Sequence, residues 1–128
     1  MDQTAAILLD KSQRSLEAAE LLLAAGHSDF AASRAYYAML YAADALLSAH
    51  GQRFHDHAGS HAGFAERFVR TGLIDARHHA HLVRGYETRI TAEYGADGPF
   101  PADQAARLIH EAREFLEAVR ACWNATCP

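Results

Sequence analysis

With 128 residues, half of them apolar and 22% charged, the chain has the length and composition of a single globular domain, expected to span residues 1–128 with a real buried core. Its formal net charge of −4 excludes a global positive field that would hold nucleic acid non-specifically, so any phosphate contact must come from a local group of arginines. No apolar run approaches the ~20 residues of a membrane span, and the start Met1-Asp2-Gln3-Thr4 lacks the basic residues of a signal peptide.

The basic residues are eleven arginines and one lysine, Lys11. That bias suits planar recognition of phosphate, and genomic composition explains it equally well. Cys122 falls where a helical core residue would, and Cys127 lies beside the C-terminus. Two cysteines with no framework around them point to a reduced, cytoplasmic setting.

The chain reads as helical throughout, with short breaks. A first helix runs from about Thr4 to Ala25 and is closed by Gly26. In it Ala5, Leu9, Ser12, Leu16, Ala19 and Leu23 recur at steps of three and four and share one face. Ser28-Asp29 is expected to cap a second helix that reaches His50 and stops at Gly51. There Ala31, Ala35, Ala38, Ala42, Ala45 and Ala49 form a ridge of small side chains that lets another helix approach closely. The ridge would face the first helix or line a dimer seam. Beside it runs a polar and aromatic stripe of Arg34, Tyr37, Tyr41, Asp44 and Ser48.

A histidine-rich loop covers Gln52 to Gly59. Ser60 is expected to cap a shorter third helix through Phe64, Phe68 and Val69, ending at Thr71-Gly72. Asp75 starts a fourth helix, with Leu82, Val83, Tyr86 and Ile90 as its apolar residues and an end near Tyr94-Gly95. Asp97-Gly98-Pro99 is a strong breaker. A last helix from about Ala102 carries Ala105, Leu108, Ala112, Phe115, Val119 and Cys122 on one face. Nothing alternates with period two. The expected fold class is all-α: an up-down helical bundle of four main helices plus one shorter helix.

The run from Ala31 to Leu47, with Arg34, Tyr36-Tyr37, Tyr41 and Asp44 inside it, resembles the second-helix signature of prokaryotic HEPN domains. Leu21-Leu22-Leu23 with Gly26 resembles the end of that family's first helix. Ser60-His61-Ala62-Gly63-Phe64 with Phe68-Val69 resembles its third, Arg89-Ile90-Thr91-Ala92-Glu93-Tyr94 its fourth, and Ala112-Arg113-Glu114-Phe115-Leu116 its last. The resemblance implies a bundle that pairs as a two-fold homodimer. It also implies a toxin–antitoxin setting, with a nucleotidyltransferase-like antitoxin as partner. In the active branch an arginine is followed, after four to six residues, by a histidine. The arginine stabilises the charged phosphorane and the histidine transfers a proton. Here no arginine is followed by histidine at that spacing, and Arg89 is followed, after four intervening residues, by Tyr94. Tyrosine, with an ordinary pKa near ~10, is a poor proton acceptor at neutral pH.

The resemblance therefore points to a module that binds RNA or nucleotide phosphate and is catalytically weak or silent. The alternative is a metal-independent ribonuclease toxin with an altered site. The catalytic candidates are Arg89, Tyr94 and His61, the last as a displaced proton-transfer group. The binding candidates are Arg34, Tyr37, Asp44 and Glu93 on the second and fourth helices, which should lie adjacent and antiparallel. The same residues could instead form an internal salt-bridge network, with Arg34 or Arg89 paired to Asp44 or Glu93. His55-Asp56-His57 with His61, and His78-His79-Ala80-His81, invite a metal reading, but the spacing lacks a tight ligand motif; neither metal nor cofactor is expected.

Overall fold

Periodicity and breaker residues divide the chain much as the sequence suggests. The computed structural model describes residues 3–95 and 98–127; Asp97 of the expected breaker lies outside them. Helix α1 spans Gln3–Ala24, α2 Ser28–Ala49, α3 His57–Phe64, α4 Ala76–Tyr94 and α5 Ala102–Thr126. No strand occurs among the described residues. Gly26, Gly51 and Gly72 close the turns with φ of +88°, +78° and +81°, a region that side chains disfavour.

Cross-helix contacts fix the topology. Ser12 and Ser15 of α1 donate to the carbonyls of Ala38 and Arg34 at 2.6 and 2.7 Å, so α1 and α2 run antiparallel. The alanine ridge is what permits this: Ala31, Ala35, Ala42 and Ala45 have no exposed surface. A serine hydroxyl can then reach the backbone of the neighbouring helix. Helix α4 lies antiparallel to α2, with Glu93 beside Ser33 and Tyr86 beside Tyr36. Helix α5 returns along α4 and α1, as the Arg84–Glu111 and Arg113–Glu20 pairs show. The four long helices thus form an up-down bundle. The core packs the predicted α5 face, with Ala105, Leu108, Ala112, Phe115, Val119 and Cys122 all buried. Phe64 stacks on Phe115 at 5.1 Å between centroids.

Four local expectations are corrected. Ser28-Asp29 does not cap α2: the preceding residue is His27, which makes no side-chain cap bond, and Asp29 accepts from the N–H of Phe30 inside the first turn. Ser60 does not cap α3 either. Asp56 does, accepting from the N–H of Gly59 at 2.6 Å, and the helix starts four residues earlier than a Ser60 cap would place it. After Phe64 the chain takes a π-helical turn, Ala65–Val69, closed by the Arg70 N–H to the Ala65 carbonyl. In α4 the face is rotated. His78, Leu82, Gly85 and Ala92 are buried, while Val83, Tyr86 and Ile90 are only partly covered.

Candidate functional site

The earlier start of α3 matters for chemistry. It places His57 and His61 one turn apart on the same helical face, and that face meets α2 at Tyr36. Tyr36 is fully buried, and its hydroxyl lies 2.6 Å from His57 Nδ1 and 2.9 Å from His61 Nε2. A phenol hydroxyl has one proton, so it donates to one ring and accepts from the other. Burial drives the Tyr36 pKa well above its ordinary value, with the neighbouring Tyr37 phenol adding to the rise. Tyr36 therefore stays neutral. Burial also pushes His61 down to about 4, helped by His57 and His79. His57 is lowered by burial and by the Arg89 charge, with Asp44 and Asp56 acting against them.

Around this hydroxyl lies a stack of rings and cations. The His57 ring stacks on Tyr36 and lies 5.0 Å from Tyr86, centroid to centroid. Tyr37 packs edge-on to Tyr36 and tilts against Tyr41. The guanidinium of Arg89 sits 5.3 Å from the Tyr37 ring and 5.9 Å from Tyr86, and that of Arg34 sits 4.9 Å from Tyr37. Lys11 covers Tyr41 at 4.8 Å. Such contacts hold a cation in place without neutralising it.

The acidic residues divide. Glu93 pairs with Arg89 Nη2 at 3.1 Å and accepts from the Ser33 hydroxyl at 2.8 Å. Among the described residues no arginine pairs with Asp44; it accepts from the Ser60 hydroxyl at 2.7 Å, and burial raises its pKa against the pull of that hydrogen bond. Among the described residues no carboxylate lies within ion-pair range of Arg34. The salt-bridge network is thus half formed. Arg89, with a side chain 14% exposed, has a buried Nε without a hydrogen-bond partner. A guanidinium held between aromatic rings, with donors beyond the one that Glu93 takes, suits a phosphate oxygen.

A model of the HEPN domain matches residues 5–122. The chain belongs to the HEPN domain family. It is 34% identical over 113 residues to a Methanocaldococcus jannaschii protein named "Putative toxin", an alignment covering 88% of this chain and 77% of the relative. A "UPF0332 protein" of Thermotoga maritima is 34% identical over 109 residues, covering 85% and 83%. A second "Putative toxin" of M. jannaschii is 30% identical over 113 residues, covering 88% and 84%.

Within this HEPN domain, Arg89, Arg34, Tyr37 and Glu93 come together, and His61 lies behind them through Tyr36. Tyr94 does not join them. It is 72% exposed and lies five residues beyond Arg89, about 140° around the helix. Asp44 belongs to the α3 side of the cluster, through Ser60. Two members were missed in the sequence. Tyr36 enters the sequence reading only as part of the second-helix run, whereas it is buried at the centre. His57 was read only as part of a histidine run. The signal that could have found them was the cap: beginning α3 at Asp56 pairs His57 with His61 at i, i+4.

Proposed function

We propose that this HEPN domain binds RNA or nucleotide phosphate through Arg89 and Arg34, with Tyr37 and Tyr86 offering ring faces to a base, and that it acts with a nucleotidyltransferase-like partner. The observation that carries the reading is the Arg89 guanidinium, held between two tyrosine rings with its Nε unpaired. The net charge of −4 makes this local group the source of affinity rather than a general field. The partner and the two-fold pairing rest on the family resemblance. Phe30, 59% exposed at the start of α2, and the exposed Tyr94 supply apolar surface for such contacts. A second reading, a metal-independent ribonuclease toxin, is favoured by the two relatives named as toxins.

The test is fluorescence anisotropy with labelled single-stranded RNA. Arg89→Ala should weaken binding by about 10–100-fold, the loss of ~1.5–3 kcal/mol for a charge-assisted hydrogen bond. Tyr94→Phe should leave affinity unchanged. Equal affinity for wild type and Arg89→Ala would defeat the proposal.

A further inference from the structure

We infer that the cavity framed by α5, the first turns of α4 and the Leu73-Ile74 turn is a second binding site, taking a small, mainly apolar molecule with one acceptor oxygen that His78 recognises. The cavity measures about 280 Å³. His78 lies eleven residues before Arg89 on α4, about 16 Å along the helix axis. The phosphate site and this one therefore stand or fall separately.

Small side chains on α5 leave the space open. Ala118, Ala121 and Ala125 recur at steps of three and four and line one side of it. From the turn, the buried Ile74 and the half-exposed Leu73 complete the wall. Ala121 and Ala125 are exposed, so the cavity opens to solvent. Two polar residues at its border are already engaged: the Asp75 carboxylate accepts from the Arg77 N–H, and the Thr126 hydroxyl donates to the Cys122 carbonyl. A concave, mostly apolar lining with few polar groups is the ordinary form of a small-molecule site.

His78 is the polar group in that wall still without a partner. It is 4% exposed, and its ring is held edge-on against Phe115 and His81, with centroids 6.1 and 6.2 Å away. Burial, helped by Arg77 and His81, pushes its pKa down, so the ring is neutral and carries one N–H and one bare nitrogen. Among the described residues no hydrogen bond reaches either ring nitrogen, and Nδ1 is fully buried. A buried N–H without a partner is rarer than a buried acceptor without one. The proton therefore belongs on Nε2, and with Nδ1 out of reach it is this N–H that a molecule in the cavity meets. A single donor in an apolar wall selects an acceptor oxygen on an apolar body, as in a ketone. The Asp75 carboxylate at the border turns away an anion.

The experiment titrates the full, nitrogen-15-labelled chain with acetophenone and with isopropenylbenzene, in which a carbon–carbon double bond replaces the carbonyl. Acetophenone should shift the amide signals of Leu73, Ile74 and His78 and of α5 around Ala121. Isopropenylbenzene should bind at the same place about 3–10-fold more weakly, the loss of one neutral hydrogen bond. His78→Phe keeps a ring in the wall and should bring the two probes to equal affinity, while Ala121→Phe should fill the cavity and abolish binding of both. Should His78→Phe fail to fold, the imidazole nitrogen spectrum of wild type decides: the proton should sit on Nε2, and acetophenone should move that signal. Absence of shifts around the cavity up to the solubility limit of acetophenone overturns the inference. So do equal affinities of wild type for the two probes, which would mean that water alone meets His78, and so does a proton found on Nδ1.

Discussion

His61 makes the fold sensitive to mild acid in a way that can be calculated. Its folded-state pKa is about 4 against an ordinary value of 6.5, chiefly because burial penalises the imidazolium. As pH falls through 6.5 the unfolded chain takes up the proton while the folded chain does not. Stability is therefore fully present above about pH 6.5 and declines down to about pH 4. At about pH 5 the gap amounts to about 2 kcal/mol, a large part of the ~5–15 kcal/mol that holds a domain together. His50, His57 and His78 are also held down by burial and act in the same direction. Asp44, held up by burial, acts in the opposite one. His61→Gln isolates this contribution, because the amide can keep a hydrogen bond to Tyr36 but does not titrate. Urea unfolding of both proteins at about pH 7.5 and about pH 5 should show wild type losing about 2 kcal/mol more than the variant. Equal losses in the two proteins would mean that His61 is not the buried neutral group described above.

Two further substitutions test the packing. Phe115→Ala, which removes a fully buried ring stacked on Phe64, should cost about 3–5 kcal/mol in urea unfolding with an unchanged m-value. Ser12→Leu, placed where α1 approaches the Ala38 carbonyl at 2.6 Å, should cost about 1–3 kcal/mol through overpacking and loss of the hydrogen bond.

The helices were legible because their apolar spacing and their glycine stops are local properties. Helix α5 shows this best: every residue of its predicted face is buried. The boundaries were less legible, since Ser60 and Asp56 are both good capping residues and only the tertiary structure chooses between them. Ser60 is drawn into the helix because its hydroxyl reaches Asp44 of α2. The α4 face was misphased for a similar reason. A large apolar residue such as Val83 reads as core, yet it is Gly85 that is buried against α2. A Cβ there would come within 2.6 Å of Met39 Cε and 3.4 Å of the Tyr36 ring.

That glycine connects packing to the site. In the middle of a helix it costs roughly 0.5–1 kcal/mol relative to alanine, a liability when only the sequence is considered. In the bundle it lets α4 lie close against α2 at Tyr36, which brings Tyr86 and Arg89 up to the rings of Tyr36, Tyr37 and His57. Arg89 and His57, which meet the same two rings of Tyr37 and Tyr86, are 32 residues apart in the chain. A search for a histidine a few positions after the arginine therefore passes over the pair and finds the outward-facing Tyr94. Spacing along one helix finds a site only when a single helix supplies it. When two helices share it, the residues that set their separation, here Gly85 and Tyr36, determine which side chains meet.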